Sequence, residues 1–124
     1  MLSGDGRLWR RIHPLWYVTS ADTGQRSITS QAYQNGKSSD HMSVTLADRQ
    51  DAPKSPEEAV SGKYDGYGLV EFSIAFARSL EQGVSHTPTQ EEPAHGSVTG
   101  KKTNAVKNAL KAESTLLVKP RLQA

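Results

Sequence analysis

Cysteine is absent from these 124 residues. That excludes disulfide frameworks, thiolate metal sites and cysteine nucleophiles together, and it makes a cytoplasmic setting the economical expectation. Long hydrophobic runs are lacking as well. Residues 1–7 are polar, and the first apolar stretch is broken by Arg10, Arg11, His13 and Pro14, so neither a signal sequence nor a membrane span is expected. Nor is there a strong charge of one sign, since 15 Lys and Arg stand against 13 Asp and Glu. What remains is a chain that is 35% hydrophobic, enough for one modest core. A single domain over residues 1–124 is expected, with residues 1–7 and 121–124 as flexible ends.

The small net charge is unevenly spread. Residues 101–124 carry Lys101, Lys102, Lys107, Lys111, Lys119 and Arg121 against Glu113 alone, and Arg7, Arg10 and Arg11 crowd the other end. The middle is acidic. If the two ends meet, they form a patch for phosphate or an acidic partner; if they do not, the same charges are an ordinary solvated face.

Aromatic and β-branched residues over 8–18 read as a strand interrupted at Pro14, which implies an edge or a bulge there. A turn at Ala21–Gly24 and a return over 26–33 make a hairpin. Met42, Val44 and Leu46 alternate with Ser43 and Thr45, the period of a half-buried strand. Ser55 followed by Pro56, Glu57 and Glu58 caps a short helix that Gly62 ends. Residues 69–76 fit both a strand and a helical face; the aromatic and β-branched content favours a strand, with one helical turn over 77–82. Short strands follow over 84–86 and 94–99. Residues 103–114 form the best helix, capped by Thr103, with Val106, Ala109, Leu110 and Ala112 inward. Residues 115–119 close the chain as a strand stopped by Pro120. The fold class expected is α+β, a mixed or antiparallel sheet with a C-terminal basic helix.

Three of four histidines adjoin proline: His13 before Pro14, His86 two residues before Pro88, and His95 two after Pro93. Histidine titrates near neutrality, and rigid flanks hold an imidazole in place. His13, His86 and His95 supply an acid and a base in principle, with Arg10, Arg11, Lys101 or Lys102 to offset phosphate charge. Metal-independent RNA cleavage requires that set. His13 and His95, with Arg11, are the pair of choice. No His-x-x-x-His spacing exists, so no metal centre is expected, and no cofactor either. Gly96–Thr103 imitates a phosphate loop, but three residues separate its glycines and an extra lysine intrudes. No Gly-x-Ser-x-Gly elbow is present.

Arg11-Ile12-His13-Pro14, Ser27-Ile28-Thr29-Ser30-Gln31-Ala32-Tyr33, Met42-Ser43-Val44 and Pro93-Ala94-His95 together resemble a group of small bacterial proteins. That group has an Arg-x-His-Pro start, a Ser-Ser-x-Ala-Phe segment and a Pro-x-His element. Here Thr29 and Tyr33 replace Ser and Phe, and the resemblance implies no activity. With no complete catalytic motif, the leading expectation is a binding or accessory protein. It would meet a protein or nucleic-acid partner, away from any membrane, through Arg10, Lys101, Lys102, Lys107 and Lys111. The alternative is a small ribonuclease-like or other phosphate-directed enzyme, as in a toxin or defence effector, using His13 and His95.

Overall fold

Leu8 and Ile12 point to one side of the first strand and Trp9 to the other, and all three are buried, which places that strand in the middle of a sheet rather than at its edge. The computed structural model describes residues 2–121 and bears this out. Strand β1 (Arg7–Ile12) is flanked by β4 (His41–Leu46) and β5 (Gly68–Ser73) in a six-stranded sheet. Its remaining strands are β6 (Gly83–His86), β7 (His95–Thr99) and β8 (Thr115–Val118), in the order β6-β7-β4-β1-β5-β8. Each of its pairings is antiparallel. The expected hairpin is the separate ribbon of β2 (Tyr17–Thr19) and β3 (Arg26–Ile28). With three α-helices among the described residues, α1 (Pro56–Ala59), α2 (Ile74–Ser79) and α3 (Asn104–Glu113), the molecule is a small single-domain α+β protein.

The larger core lies on the face to which Leu8 and Ile12 point. Met42, Val44, Phe72 and Val98 from the sheet meet Tyr33, from a 3-10 turn over Ser30–Tyr33, and Leu110 from α3. On the opposite face Trp9 and Leu69 pack with Ala47 and Ala59, under α1. Leu110 is fully buried, whereas Ala112, expected inward, is exposed. Thr103 caps α3, its side chain accepting from Val106 N at 3.2 Å, and Ser55 caps α1, accepting from Glu58 N at 3.1 Å. Among the described residues no helix is long and apolar enough to cross a membrane.

Three local expectations are corrected. Pro14 marks neither an edge nor a bulge: β1 has already ended, and Pro14 opens a 3-10 turn over Pro14–Trp16 at the position where a missing N–H costs nothing. The strand expected over 69–76 stops at Ser73 because α2 begins at Ile74, not at residue 77. Ser73 is the cap, accepting from Phe76 N at 3.0 Å. The free N–H groups of Ile74 and Ala75 are taken by the carbonyls of Gly6 and Gly4, at 2.9 and 3.0 Å. The segment before β1, expected to be a loose end, thus closes the N-terminus of α2. At the other end Arg121 N donates to Gly66 O at 2.8 Å; the rest of the expected flexible tail, residues 122–124, lies outside the described residues.

One irregularity positions everything that follows. β1 pairs with β5 along its whole length, from Arg7↔Ser73 to Ile12↔Gly68, but with β4 only at Leu8↔Leu46 and Trp9↔Thr45. Beyond Trp9 the two central strands part.

Candidate functional site

Arg10 faces the core between Leu8 and Ile12, where a guanidinium needs acceptors, and the parting of β1 from β4 supplies them. Its Nε donates to Ala32 O at 3.0 Å and its Nη1 to Ser43 O at 2.9 Å, so the side chain bridges the gap that the backbone ladder leaves. The Trp16 ring covers it at 5.4 Å. Burial pulls this guanidinium down to about 10, with the nearby Tyr33 opposing the shift; it stays charged at neutral pH.

A cleft of about 560 Å³ opens over this gap. β1, the 3-10 turn that follows it, β4 and the segments preceding β5 and β7 form its walls. Both His13 and His95 line it, as do Arg10 and Arg11. Both members of the expected pair therefore line one cleft, while His86 and His41 lie outside it. His86 is occupied at both nitrogens, Nε2 donating to Pro93 O at 2.7 Å and Nδ1 facing Arg49 Nη1 at 3.4 Å. His41 sits at the start of β4, its Nδ1 2.8 Å from Ser39 Oγ.

The backbone fixes opposite tautomers for the two cleft histidines. Leu15 N can only donate, and it lies 3.0 Å from His13 Nδ1. Nδ1 is therefore an acceptor, and the proton of neutral His13 is on Nε2. The Thr87 carbonyl can only accept, and it lies 2.8 Å from His95 Nδ1. There the proton is on Nδ1, and Nε2 carries the free lone pair. Thr87 Oγ1 adds a contact to the same Nδ1 at 3.0 Å and is itself 2.7 Å from Ser97 Oγ. Each ring is held, one as a donor at Nε2 and the other as a base.

Around them the walls are aromatic. His13 meets Tyr67 and Trp16 edge-on, with centroids 5.2 and 6.0 Å apart, and Tyr67 meets Tyr64 at 5.3 Å. The Arg11 guanidinium stacks on Tyr64 at 4.1 Å. Its Nε donates to Ala59 O at 2.6 Å, and its Nη1 reaches Glu92 Oε1 at 3.0 Å and Thr45 Oγ1 at 3.3 Å. Thr45 Oγ1 closes the triangle, donating to Glu92 Oε1 at 2.6 Å. Arg11 is thus a structural brace of the cleft, with only Nη2 free of a hydrogen-bond partner among the described residues. Sequence reasoning missed Thr45, Tyr64, Tyr67 and Glu92, which come from three separate segments.

Charge in the cleft is nearly balanced. Glu92 is paired with Arg11, Glu91 with Lys63 at 2.8 Å and Asp51 with Arg49 at 2.8 Å. Among the described residues Glu58 has no cation at ion-pair distance, and Arg10 no carboxylate. No group of three His, Asp or Glu side chains there is arranged to hold a metal ion.

The basic residues named for binding are divided. Lys102 turns inward, its Nζ donating to Asn35 Oδ1 at 2.8 Å, Gly100 O at 2.9 Å and Val98 O at 3.0 Å. Burial lowers it to about 8, helped by the nearby Arg10 and opposed by Asp40. Like Arg10, it ties the fold together from inside. Lys101 and Lys111 are exposed and Lys107 half-exposed, before and along α3. Comparison with protein-family models, curated proteins and solved structures gave no match to this chain.

Proposed function

We propose that the cleft is the active site of a small ribonuclease-like enzyme that cleaves a phosphodiester with one histidine as base and the other as hydrogen-bond donor. The observation that carries this reading is the meeting of His13 and His95 in one cleft with opposite tautomers, each fixed by a backbone group. A base and a donor are the two functions that attack on phosphorus requires. The Arg10 guanidinium is spent on Ala32 O and Ser43 O, but with no carboxylate partner among the described residues it leaves uncompensated positive charge in the cleft wall, which attracts a phosphodiester through space. Trp16, Tyr64 and Tyr67 offer ring surface to splayed bases, as single-stranded RNA presents them. The competing reading, binding through the basic ends, loses two of its residues to internal bonds. It keeps the face of Lys101, Lys107 and Lys111.

The test is cleavage of an end-labelled, mixed-sequence single-stranded RNA by the full chain and by His13→Ala and His95→Ala variants whose circular dichroism matches the parent. Each variant is expected to lose about 10²-fold or more in rate. RNA that is bound but uncut by the parent, with affinity falling in Lys101→Ala and Lys111→Ala and unchanged in the histidine variants, would replace the enzyme with the binding protein.

A further inference from the structure

We infer that the two histidines divide the work unequally: His95 alone moves the proton, and His13 acts as a fixed neutral hydrogen-bond donor to the phosphoryl group. This rests on the reading of the cleft as an active site and goes beyond it by assigning each ring one role.

The argument starts from the turn after β1. His13 is the cap of the 3-10 turn Pro14–Trp16, with φ −59° and ψ 140°, and its Nδ1 accepts the N–H of Leu15 at 3.0 Å. Pro14, fully committed to that turn, has no N–H to offer, so Leu15 supplies the first one available. To serve as the proton donor, His13 would first become imidazolium, with a second N–H at Nδ1. That N–H would face the N–H of Leu15, two donors head to head, and the ring is also wedged edge-on between Trp16 and Tyr67. Only the ring with its proton on Nε2 makes the hydrogen bond from Leu15. A neutral imidazole is a poor proton donor but a good electrophile, able to hold a developing oxyanion.

His95 differs at every point. Its Nδ1–H is anchored on the Thr87 carbonyl, and when Nε2 takes a proton that anchor is kept and strengthened, because the donor is then charged. Thr87 Oγ1 and Ser97 Oγ extend the support behind it. His95 can therefore pass between neutral and charged forms without breaking a bond, which His13 cannot.

The reaction follows. His95 Nε2 takes the proton of the ribose 2′-hydroxyl as that oxygen bonds to phosphorus. The P–O5′ bond breaks, and the departing oxygen keeps the bonding pair. It takes a proton from solvent water, and the hydroxide left behind is neutralised by the proton that His95 gives back. Throughout, His13 Nε2–H donates to a non-bridging oxygen. Cleavage assigned in this way has no enzymic acid at the leaving oxygen, so the reaction favours leaving groups that depart without one.

Two substrates separate the roles: uridylyl-adenosine, with a poor alkoxide leaving group, and uridine 3′-(4-nitrophenyl phosphate), with a good aryloxide one. Loss of an oxyanion donor slows both alike, whereas loss of a general acid slows only the first. His13→Ala is expected to lower kcat/KM about 10²–10³-fold on both substrates, and His13→Gln, which returns an amide N–H near the Nε2 position, to recover most of that loss on both. A His13→Ala loss at least tenfold larger on the dinucleotide than on the aryl ester would overturn the assignment and make His13 the acid. So would a His13→Gln variant as slow as His13→Ala. If His95→Ala leaves both rates untouched, or the parent cleaves neither substrate, the failure belongs to the active-site reading itself.

Discussion

Glu92 gives the sharpest test of how the cleft is held together. Its Oε1 receives Arg11 Nη1 at 3.0 Å and Thr45 Oγ1 at 2.6 Å, and the side chains of Arg11 and Glu92 are 16% and 20% exposed. Glu92→Gln keeps the shape and keeps an oxygen for Thr45, but it removes the charge opposite Arg11. An exposed ion pair is worth under about 1 kcal/mol, and stripping one partner from a fully buried pair costs about 3–5 kcal/mol. This pair is mostly but not wholly covered, and Arg11 retains Ala59 O and the Tyr64 face. A loss of about 2 kcal/mol therefore follows.

Arg11→Met removes the same pair from the other side, together with the bond to Ala59 O, and is expected to cost about 3 kcal/mol. The double variant should then recover about 1–2 kcal/mol of the summed loss, because the pair can be broken only once. Urea unfolding of the four proteins at neutral pH, with unchanged slopes, measures this cycle. A coupling within about 0.3 kcal/mol of zero would refute the claim that the triangle braces the cleft. The Glu92 backbone carbonyl also accepts from His95 N at 3.1 Å, a bond that Glu92→Gln keeps; any effect on activity should therefore pass through the Arg11 and Thr45 contacts, Thr45 being the cross-strand neighbour of His95.

Two further outcomes follow from the sheet. A Cβ at Gly68 would come within 2.5 Å of Pro120 Cγ and 2.8 Å of Val118 O; neither a proline ring nor backbone can yield, so Gly68→Ala should destabilise by about 2–3 kcal/mol and lower Tm, measurable by calorimetry. Asp48 is pushed up by burial, but this is outweighed by bonds from Arg7 N at 2.7 Å and from the Arg7 guanidinium, which hold it below the usual carboxylate range. A depressed carboxyl stabilises the fold above its unfolded value and loses that contribution as pH falls through the folded one. The parent should therefore lose stability on acidification below about pH 4 relative to Asp48→Asn. Because both side chains are half exposed, the gap at neutral pH should stay below about 1 kcal/mol; equal acid sensitivity of the two proteins would count against the pairing.

Elements governed by local chemistry were legible in the sequence. Ser55-Pro56-Glu57-Glu58 and Thr103 announce their helices because cap and first turn lie within four residues. Met42, Val44 and Leu46 announce β4 because its core side is one face of a regular period. The start of α2 was not legible, because the carbonyls that complete it belong to Gly4 and Gly6, some seventy residues earlier. The same division holds at the cleft. His13 stood out by its type and by the proline beside it, and His95 by a proline two residues before it. Arg10 and Lys102 read as surface cations only because nothing local shows that Ala32, Ser43, Val98 and Gly100 turn their carbonyls toward them. The tautomer of His95 is not legible locally either. For His13 the deciding N–H lies two residues away, but for His95 it is a carbonyl on β6's far side of the loop, at Thr87. Residue type marks where chemistry can occur, and the backbone groups that meet each ring decide which chemistry it is.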